Sequence, residues 1–451
     1  MPCLDKSSEA IASADWIAEV PVFPWPMCRK SFVFFTALLV VLLTLASSLE
    51  RLFVLCRDAS GIAFGRYFAL LFLQIRAVGF WMERRLVIHV GAQKCASSSL
   101  QASLRLVAQA SKGELGFCFL NPAQLRNADQ ALQQDRDTAF GYIDRVLSAE
   151  SSSQVVVSHE MLGNRPALVG SIAERALDRH GFDHVVISGY SRLQSSYHIS
   201  SFSQWFFRDR KKLHDDVRVL ADRHLDWKKF TPLERSLLAL SLVGQDRNWF
   251  GNYQRFLGSI KSLGDSVTVV SSHIPTRSLP YSLLSDFLSS TGLSLELDDL
   301  SSFDVRKNLS FNQVLIHAMS SYLSALLPCQ QSFFPGPHEG NRWLFRVCDR
   351  LSDAGQMMSE FHVLFPPRLQ QSLVGHLDCR ASSSNKQYCD LMSVDFNYFK
   401  PSDQSSLLTE GELIDLAGDV ARSRNYEDIE QFNRKVENAC MLSMRAEIVS
   451  S

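Results

Sequence analysis

Lys94, the serines 97–99 and the adjacent pair His159-Glu160 are the residues whose types and spacing could do chemistry together. Lys94 lies in the run Gly91-Ala92-Gln93-Lys94-Cys95-Ala96, and Ser97-Ser98-Ser99 follow directly. A lysine ammonium is a mobile positive charge, hydroxyls donate hydrogen bonds, and small residues let backbone amides approach a ligand closely. Those are the means of holding a phosphate. The neighbouring residues supply the elements to position them. Leu86 to Val90 is a short, apolar, partly β-branched run of the kind that forms a buried strand. From Leu100 to Ala110 the apolar residues Leu100, Leu104, Val107 and Ala108 recur at helical spacing. A strand, a turn carrying a lysine and a helix opening on hydroxyls bring free amides and the positive end of the helix dipole to one point.

The loop is not that of a nucleoside-triphosphate site. Such a loop is longer between its glycines, and Ser or Thr follows its lysine directly. Here two residues separate Gly91 from Lys94, and Cys95 follows the lysine. The stretch resembles the 5′-phosphosulfate loop of sulfotransferases. In carbohydrate-type and bacterial members that loop reads roughly His-Ile-Gly-x-x-Lys-Thr-Gly-Thr-Thr-Ser-Leu-Gln. His89, Gly91, Lys94, Ser99, Leu100 and Gln101 match it. Cys95 stands for a Thr, Ala96 for a Gly, and Ser97-Ser98 for Thr-Thr. Ala96 is the weightiest departure, because a glycine there permits positive φ and close phosphate approach.

The next strand expected is Gln154 to Ser158, ending in His159-Glu160. Open α/β sheets bind ligands at the carboxyl edge of their strands. Ser158-His159-Glu160 can be laid on the Ser-Ser-Glu of many sulfotransferases or on the Lys-Thr-His of cytosolic members. Sulfuryl transfer needs one base for the acceptor hydroxyl, and Glu or His can serve. Glu160 is the closer match and His159 the other reading. A helix from Leu168 to His180 stops at Gly181, and a strand from His184 to Tyr190 leads to Ser191-Arg192. In the family, an Arg at a strand end and a Ser eight residues on hold the cofactor's 3′-phosphate. Arg192 and Ser200 have that spacing. A competing register takes Arg192, Ser195 and Tyr197 as a later motif and leaves Ile187 in the phosphate arginine's place. The first register keeps the charge, and a guanidinium fork suits a phosphate.

The resemblance covers about residues 84–315 and implies an α/β domain, 84–440, built on a mostly parallel sheet flanked by helices, P-loop-like. It implies 3′-phosphoadenosine 5′-phosphosulfate (PAPS) as cofactor, held by Gly91, Ala92, Gln93, Lys94, Cys95, Ala96, Ser97, Ser98 and Ser99 with Arg192 and Ser200. It implies a catalytic role for Lys94 with Glu160 or His159, and no metal. A basic loop, Phe303 to Ser310, resembles one near the cofactor in bacterial members. Two other functions stay open: a P-loop nucleotide kinase, and a membrane-anchored binding module of the same fold without catalysis.

The chain has 451 residues and a net charge of −1, which argues against a nucleic-acid partner. Its ten cysteines form no metal-ligand spacing; a few disulfides among Cys118, Cys329, Cys348, Cys379, Cys389 and Cys440, or none, are both compatible with it. After a tail, 1–30, residues 31–49 carry no charge and are long enough to span a bilayer as a single anchor. Residues 50–83 read as an amphipathic stem, because a second span would bury Arg66 and Arg76. Flanking charges do not settle orientation. For an anchored member of the family, the implied acceptor is a glycan hydroxyl in the Golgi lumen. Residues 112–150 read as helical, and the charged stretch 206–230 as a solvated helix face or a basic lip. Further helices are expected at Trp249–Leu263, Leu283–Leu288, Phe311–Leu327, Arg342–Val347, Leu369–Leu377 and Leu407–Ala421, with a strand at Val267–Ser271. The last thirty residues are polar and are expected to fray.

Overall fold

Five short runs form the strands β1 (Arg85–His89), β2 (Leu115–Phe119), β3 (Gln154–Ser158), β4 (His184–Ser191) and β5 (Val267–His273), and all but β2 carry β-branched residues. The computed structural model describes residues 83–91, 95–132, 136–244, 247–274, 282–297, 299–305, 311, 313–325, 354–402 and 405–450. The expected anchor, 31–49, and the helix expected at Arg342–Val347 lie outside these residues. Among the described residues, no helix is long and apolar enough to cross a membrane. Contacts divide the chain into two units between Trp81 and Met82, and all five strands belong to the second.

The strands pair in parallel in the order β2-β3-β1-β4-β5. A parallel sheet is covered on both faces, so its strands are apolar on both. Leu86, Val87 and Ile88 of β1 are fully buried. On one face, Leu86, Ile88, Val155, Val157 and Ile187 pack under Phe140, Leu168, Ile172 and Phe256. On the other, Val87, Val156 and Val186 meet Leu100, Leu104 and Val107. Helix α1 (Ser97–Ala110) follows β1 onto the second face. After β2 come α2 (Pro122–Ala131) and α3 (Arg136–Ala149), and α4 (Pro166–His180) follows β3 onto the first face. The chain thus leaves neighbouring strands β1 and β3 on opposite sides, which opens a crevice between their carboxyl ends.

Helices α5 (Gln194–Phe202), α6 (Arg210–Ala221), α7 (Pro232–Val243) and α8 (Trp249–Ile260) lie between β4 and β5. They are followed by α9 (Leu283–Thr291), α10 (Gln313–Ala325), α11 (Ala354–Leu364), α12 (Arg368–Met392), α13 (Glu410–Ser423) and α14 (Tyr426–Ser450). Gly181 and Gly292 take positive φ after α4 and α9, as stop signals should.

Three expectations need correction. Residues 112–150 include the edge strand β2 as well as helices. The helix seen as Leu369–Leu377 runs on to Met392. The last thirty residues are not polar throughout: α14 buries Ile429, Phe432, Val436 and Cys440 against α10 and α11. Their spacing of three, four and four residues is one apolar helix face.

An ion pair secures the turn into α14. Arg424 donates from both terminal nitrogens to Glu234, at 2.8 and 2.7 Å, with both side chains about 3% exposed. Glu234 also accepts from the Thr231 amide in a capping box that starts α7. Removing one partner of such a pair strands the other charge in the interior. Arg424→Ala is therefore expected to lower the unfolding free energy by about 3–5 kcal/mol, measured by urea denaturation.

Candidate functional site

Because all five strands run the same way, the residues that follow β1, β3 and β4 gather on one edge. His89 at the end of β1 lies beside Ser158 of β3 and Ser188 of β4. This edge carries the loop after β1, the pair His159-Glu160 after β3 and Arg192 after β4.

Ala92, Gln93 and Lys94 lie outside the described residues, as do Arg306 to Ser310 of the basic loop. Gly91 is buried where the strand ends. A Cβ there would run into the Ser97 hydroxyl and come within 2.6 Å of His89 Nε2, so no larger side chain fits as the atoms stand. Ala96 has φ 57° and ψ 13°, the left-handed conformation for which glycine is suited. Ser97 and Ser99 are buried in the first turn of α1, whereas Ser98 is exposed. No side chain caps α1. Cys95 is buried in the apolar cluster beneath the loop. Burial pushes its thiol up to about 12, against the nearby charges of Arg192 and Arg247, which pull it down.

The loop is fastened to β3 from both ends. Gln101 Nε2, on α1, donates to Ser158 Oγ at 3.0 Å. Ser158 Oγ in turn lies 2.7 Å from His89 Nδ1. The serine oxygen has a second lone pair, so it can accept from Nδ1–H or donate to Nδ1, and Nε2 is buried without a hydrogen-bond partner among the described residues. Burial lowers the His89 pKa to about 4, so the ring is neutral at pH 7.

His159 and Glu160 do different things. His159 Nδ1 accepts from the Met161 amide at 3.0 Å and caps the short turn Glu160–Asn164. Burial, and then the charge of Arg126, lower its pKa. Glu160 points to the loop, and the exposed Ser98 Oγ donates to its Oε1 at 3.3 Å.

Arg192 follows β4 and is half-buried, and its carbonyl accepts from Trp249 Nε1 at 2.7 Å. Helix α12 buttresses this corner. Tyr388 Oη lies 2.8 Å from Ser191 Oγ, Asn385 and Gln194 exchange amide hydrogen bonds, and Asp378 accepts from the Ser195 amide and hydroxyl. Ser195 is thus committed to Asp378. Ser200 is half-buried and lies one helical turn from Tyr197, on the same side of α5. No hydrogen bond joins Arg192 to Ser200 among the described residues. Tyr197 feels the positive charge of Arg247 and the negative charge of Glu160, so it lies within reach of both. Its ring stands edge-on to Trp249 at 5.8 Å.

Arg247, Tyr197 and Trp249 were not singled out as site residues from the sequence, nor was Ser158 as the fastening of the loop. The sequence offers only weak signals: an arginine two residues before a tryptophan, and a serine closing a strand. Among the described residues, no cluster of His, Cys, Asp or Glu has the makings of a metal site. Cys95, Cys118, Cys379, Cys389 and Cys440 are free thiols.

Two outcomes are expected. Ala96→Gly relieves a left-handed alanine at the cost of a looser unfolded chain, so it should stabilise the protein by about 0.5–1 kcal/mol in urea denaturation. Acid should destabilise it. His89 and His317 are held down to about 4 and His198 to about 3, chiefly by burial, against an ordinary 6.5. The unfolded chain therefore takes up protons below about pH 6.5 that the folded chain refuses. Stability is full above that value and falls as pH drops from 6.5 towards 4, by about 1.4 kcal/mol per unit for each histidine. Urea midpoints taken from pH 7 to 4.5 check this, and a flat profile would contradict it. No protein-family model, curated protein or solved structure matches this chain.

Proposed function

We propose that the chain is a sulfotransferase that moves a sulfuryl group from 3′-phosphoadenosine 5′-phosphosulfate to an acceptor hydroxyl, a glycan being the acceptor class. The observation that carries this reading is convergence on one loop. Glu160, from the end of β3, meets Ser98, and the charge of Arg192, from the end of β4, reaches Cys95. A loop of phosphate-binding composition, a carboxylate and an arginine are what the reaction requires at one edge. The parallel sheet with this loop after its middle strand supports a P-loop-like fold. The engagement of Ser195 with Asp378 favours Ser200 as the hydroxyl that works with Arg192.

In the proposed reaction the acceptor oxygen attacks sulfur in line with the bridging oxygen of the phosphosulfate. The new S–O bond forms as the old one breaks, and 3′-phosphoadenosine 5′-phosphate leaves with the electron pair. Glu160 takes the acceptor proton. Lys94, the loop amides and the Ser97 and Ser98 hydroxyls stabilise charge on the leaving phosphate. Arg192 and Ser200 hold the 3′-phosphate. His159 is the weaker candidate for the base, because its Nδ1 is spent on the Met161 amide. Residues 31–49 serve in this reading as the anchor that holds the domain in the Golgi membrane, facing the lumen.

One observation favours a second reading, a binding module of the same fold without catalysis. The Cys95 thiol, where relatives have a hydroxyl, is buried among apolar side chains.

The test is calorimetric titration of the full-length protein with 3′-phosphoadenosine 5′-phosphate, with ATP as control. Micromolar binding is expected, weakened about tenfold or more in Lys94→Ala and Arg192→Ala, since each loses a charge-assisted contact. Glu160→Gln should keep binding and lose about 10²–10⁴-fold in transfer rate. Binding without transfer to any glycan acceptor supports the module. No binding by the folded wild type removes the sulfotransferase reading.

A further inference from the structure

Arg247 is a cation at the same edge to which the proposed reaction gives no task. It stands two residues before Trp249, at the start of α8. Its guanidinium carbon lies 5.0 Å from the Trp249 ring centroid and 5.9 Å from that of Tyr197. Its Nε is buried and has no hydrogen-bond partner. No carboxylate among the described residues pairs with it. Taking a charge partly out of water is costly, and two aromatic faces offset that cost less well than a carboxylate would. Among the described residues, the side chain is therefore held in place without being neutralised.

Trp249 links this cation to Arg192. The indole is fully buried, its face lies under the Arg247 guanidinium, and its Nε1–H donates to the Arg192 carbonyl at 2.7 Å. The backbone of Arg247 is fixed as well. Its carbonyl accepts from Gln194 Nε2 at 3.0 Å, and Gln194 is locked by its amide exchange with Asn385. Two arginines from separate elements, β4 and the start of α8, are thus braced by one side chain. Both charges reach the Cys95 thiol in the loop. The Glu160 carboxylate reaches the same thiol, and two positive charges there still favour a second anion.

We propose that Arg247 is a second phosphate-binding arginine of this site, sharing with Arg192 the 3′-phosphate of a nucleotide bisphosphate, and that Trp249 is the residue that positions both. The inference rests on the sulfotransferase reading for the identity of the nucleotide. Two guanidinium groups can together offer donors to all three terminal oxygens of a phosphate monoester. A ribose hydroxyl, with no charge and one oxygen, would leave them unsatisfied. The pair thereby selects for the 3′-phosphate rather than for nucleotides in general.

The test titrates full-length wild type, Arg247→Ala, Arg247→Lys and Trp249→Phe with 3′-phosphoadenosine 5′-phosphate and with ADP, which lacks the 3′-phosphate. Wild type is expected to prefer the bisphosphate. In Arg247→Ala the ratio of the two Kd values should fall about 10–100-fold, the size of a charge-assisted hydrogen bond, with ADP binding unchanged. Arg247→Lys should restore part of the preference, since it keeps the charge and loses the fork. Trp249→Phe keeps a ring face and loses the bond to the Arg192 carbonyl, so it should move the ratio the same way by a smaller factor. An unchanged ratio in Arg247→Ala overturns the inference and leaves the sulfotransferase reading intact. Equal loss of both ligands also overturns it, because a merely structural role would do that. Wild type that binds neither ligand is a different pattern, and it overturns the sulfotransferase reading together with the inference.

Discussion

The hydroxyl of Ser158 ties β1, β3 and α1 together, and the packing at the end of β1 and the start of α1 depends on it. One oxygen accepts from Gln101 and lies against His89 Nδ1. The Gln101 amide, the Ser158 hydroxyl and Nδ1 of the neutral ring find partners there without any charge, and Nε2 of the ring is left without one among the described residues. The His89 ring and the Ser97 hydroxyl then fill the space where a side chain at Gly91 would go. So His89, Gly91, Ser97, Gln101 and Ser158 are required by one another, whatever the turn binds. The same reasoning does not cover Ser98 or Glu160. Ser98 is exposed and Glu160 half-buried, and packing assigns neither its residue type. Once packing is accounted for, an acid and a hydroxyl still face each other at the mouth of a crevice, and that is the part of the motif that chemistry has to explain.

Much of the sheet was legible in the sequence because its strands are buried on both faces. Continuous runs such as Leu86 to Val90, Gln154 to Ser158 and His184 to Tyr190 leave little else to be, and glycines at 181 and 292 mark the helix ends with positive φ. β2 was not legible. It pairs on one side only, and Gly116 in its middle has little strand propensity. The Glu150 carboxylate, 34 residues away in sequence, lies where a Cβ at Gly116 would be and would have to move aside for one. The length of α12 was hidden for a related reason. Its second half, rich in serine and other polar residues, looks like a poor helix. Asp378, Asn385 and Tyr388 nonetheless stand on it because each answers a polar group of β4, α5 or β5. Apolar periodicity cannot register an interface made of such pairs. Arg247 escaped notice on the same grounds, since what makes it notable is its two partner rings and the lack of a paired carboxylate among the described residues.

Ala96, directly before α1, holds a conformation against the preference of its own residue type. Four residues other than glycine have positive φ among those described: Ala96, Lys112, His224 and Ser393. Lys112, His224 and Ser393 come within three residues after the ends of α1, α6 and α12, where a left-handed residue is a routine way to stop a helix. Ala96 comes before a helix. It is also the one with no polar side chain to compensate locally, and no side chain caps the helix it precedes. Left-handed alanine costs about 1–2 kcal/mol. A helix start does not ask for that cost, since a residue with ordinary extended dihedrals serves as N-cap elsewhere in this chain, as Asn121, Asp209 and Thr231 do. The conformation of Ala96 is therefore not a demand of the helix after it. Strain held in place by well-packed neighbours is what a turn shaped around a ligand would carry, and Cys95, Ser97, Leu100 and Leu104, all buried, are the neighbours that hold it.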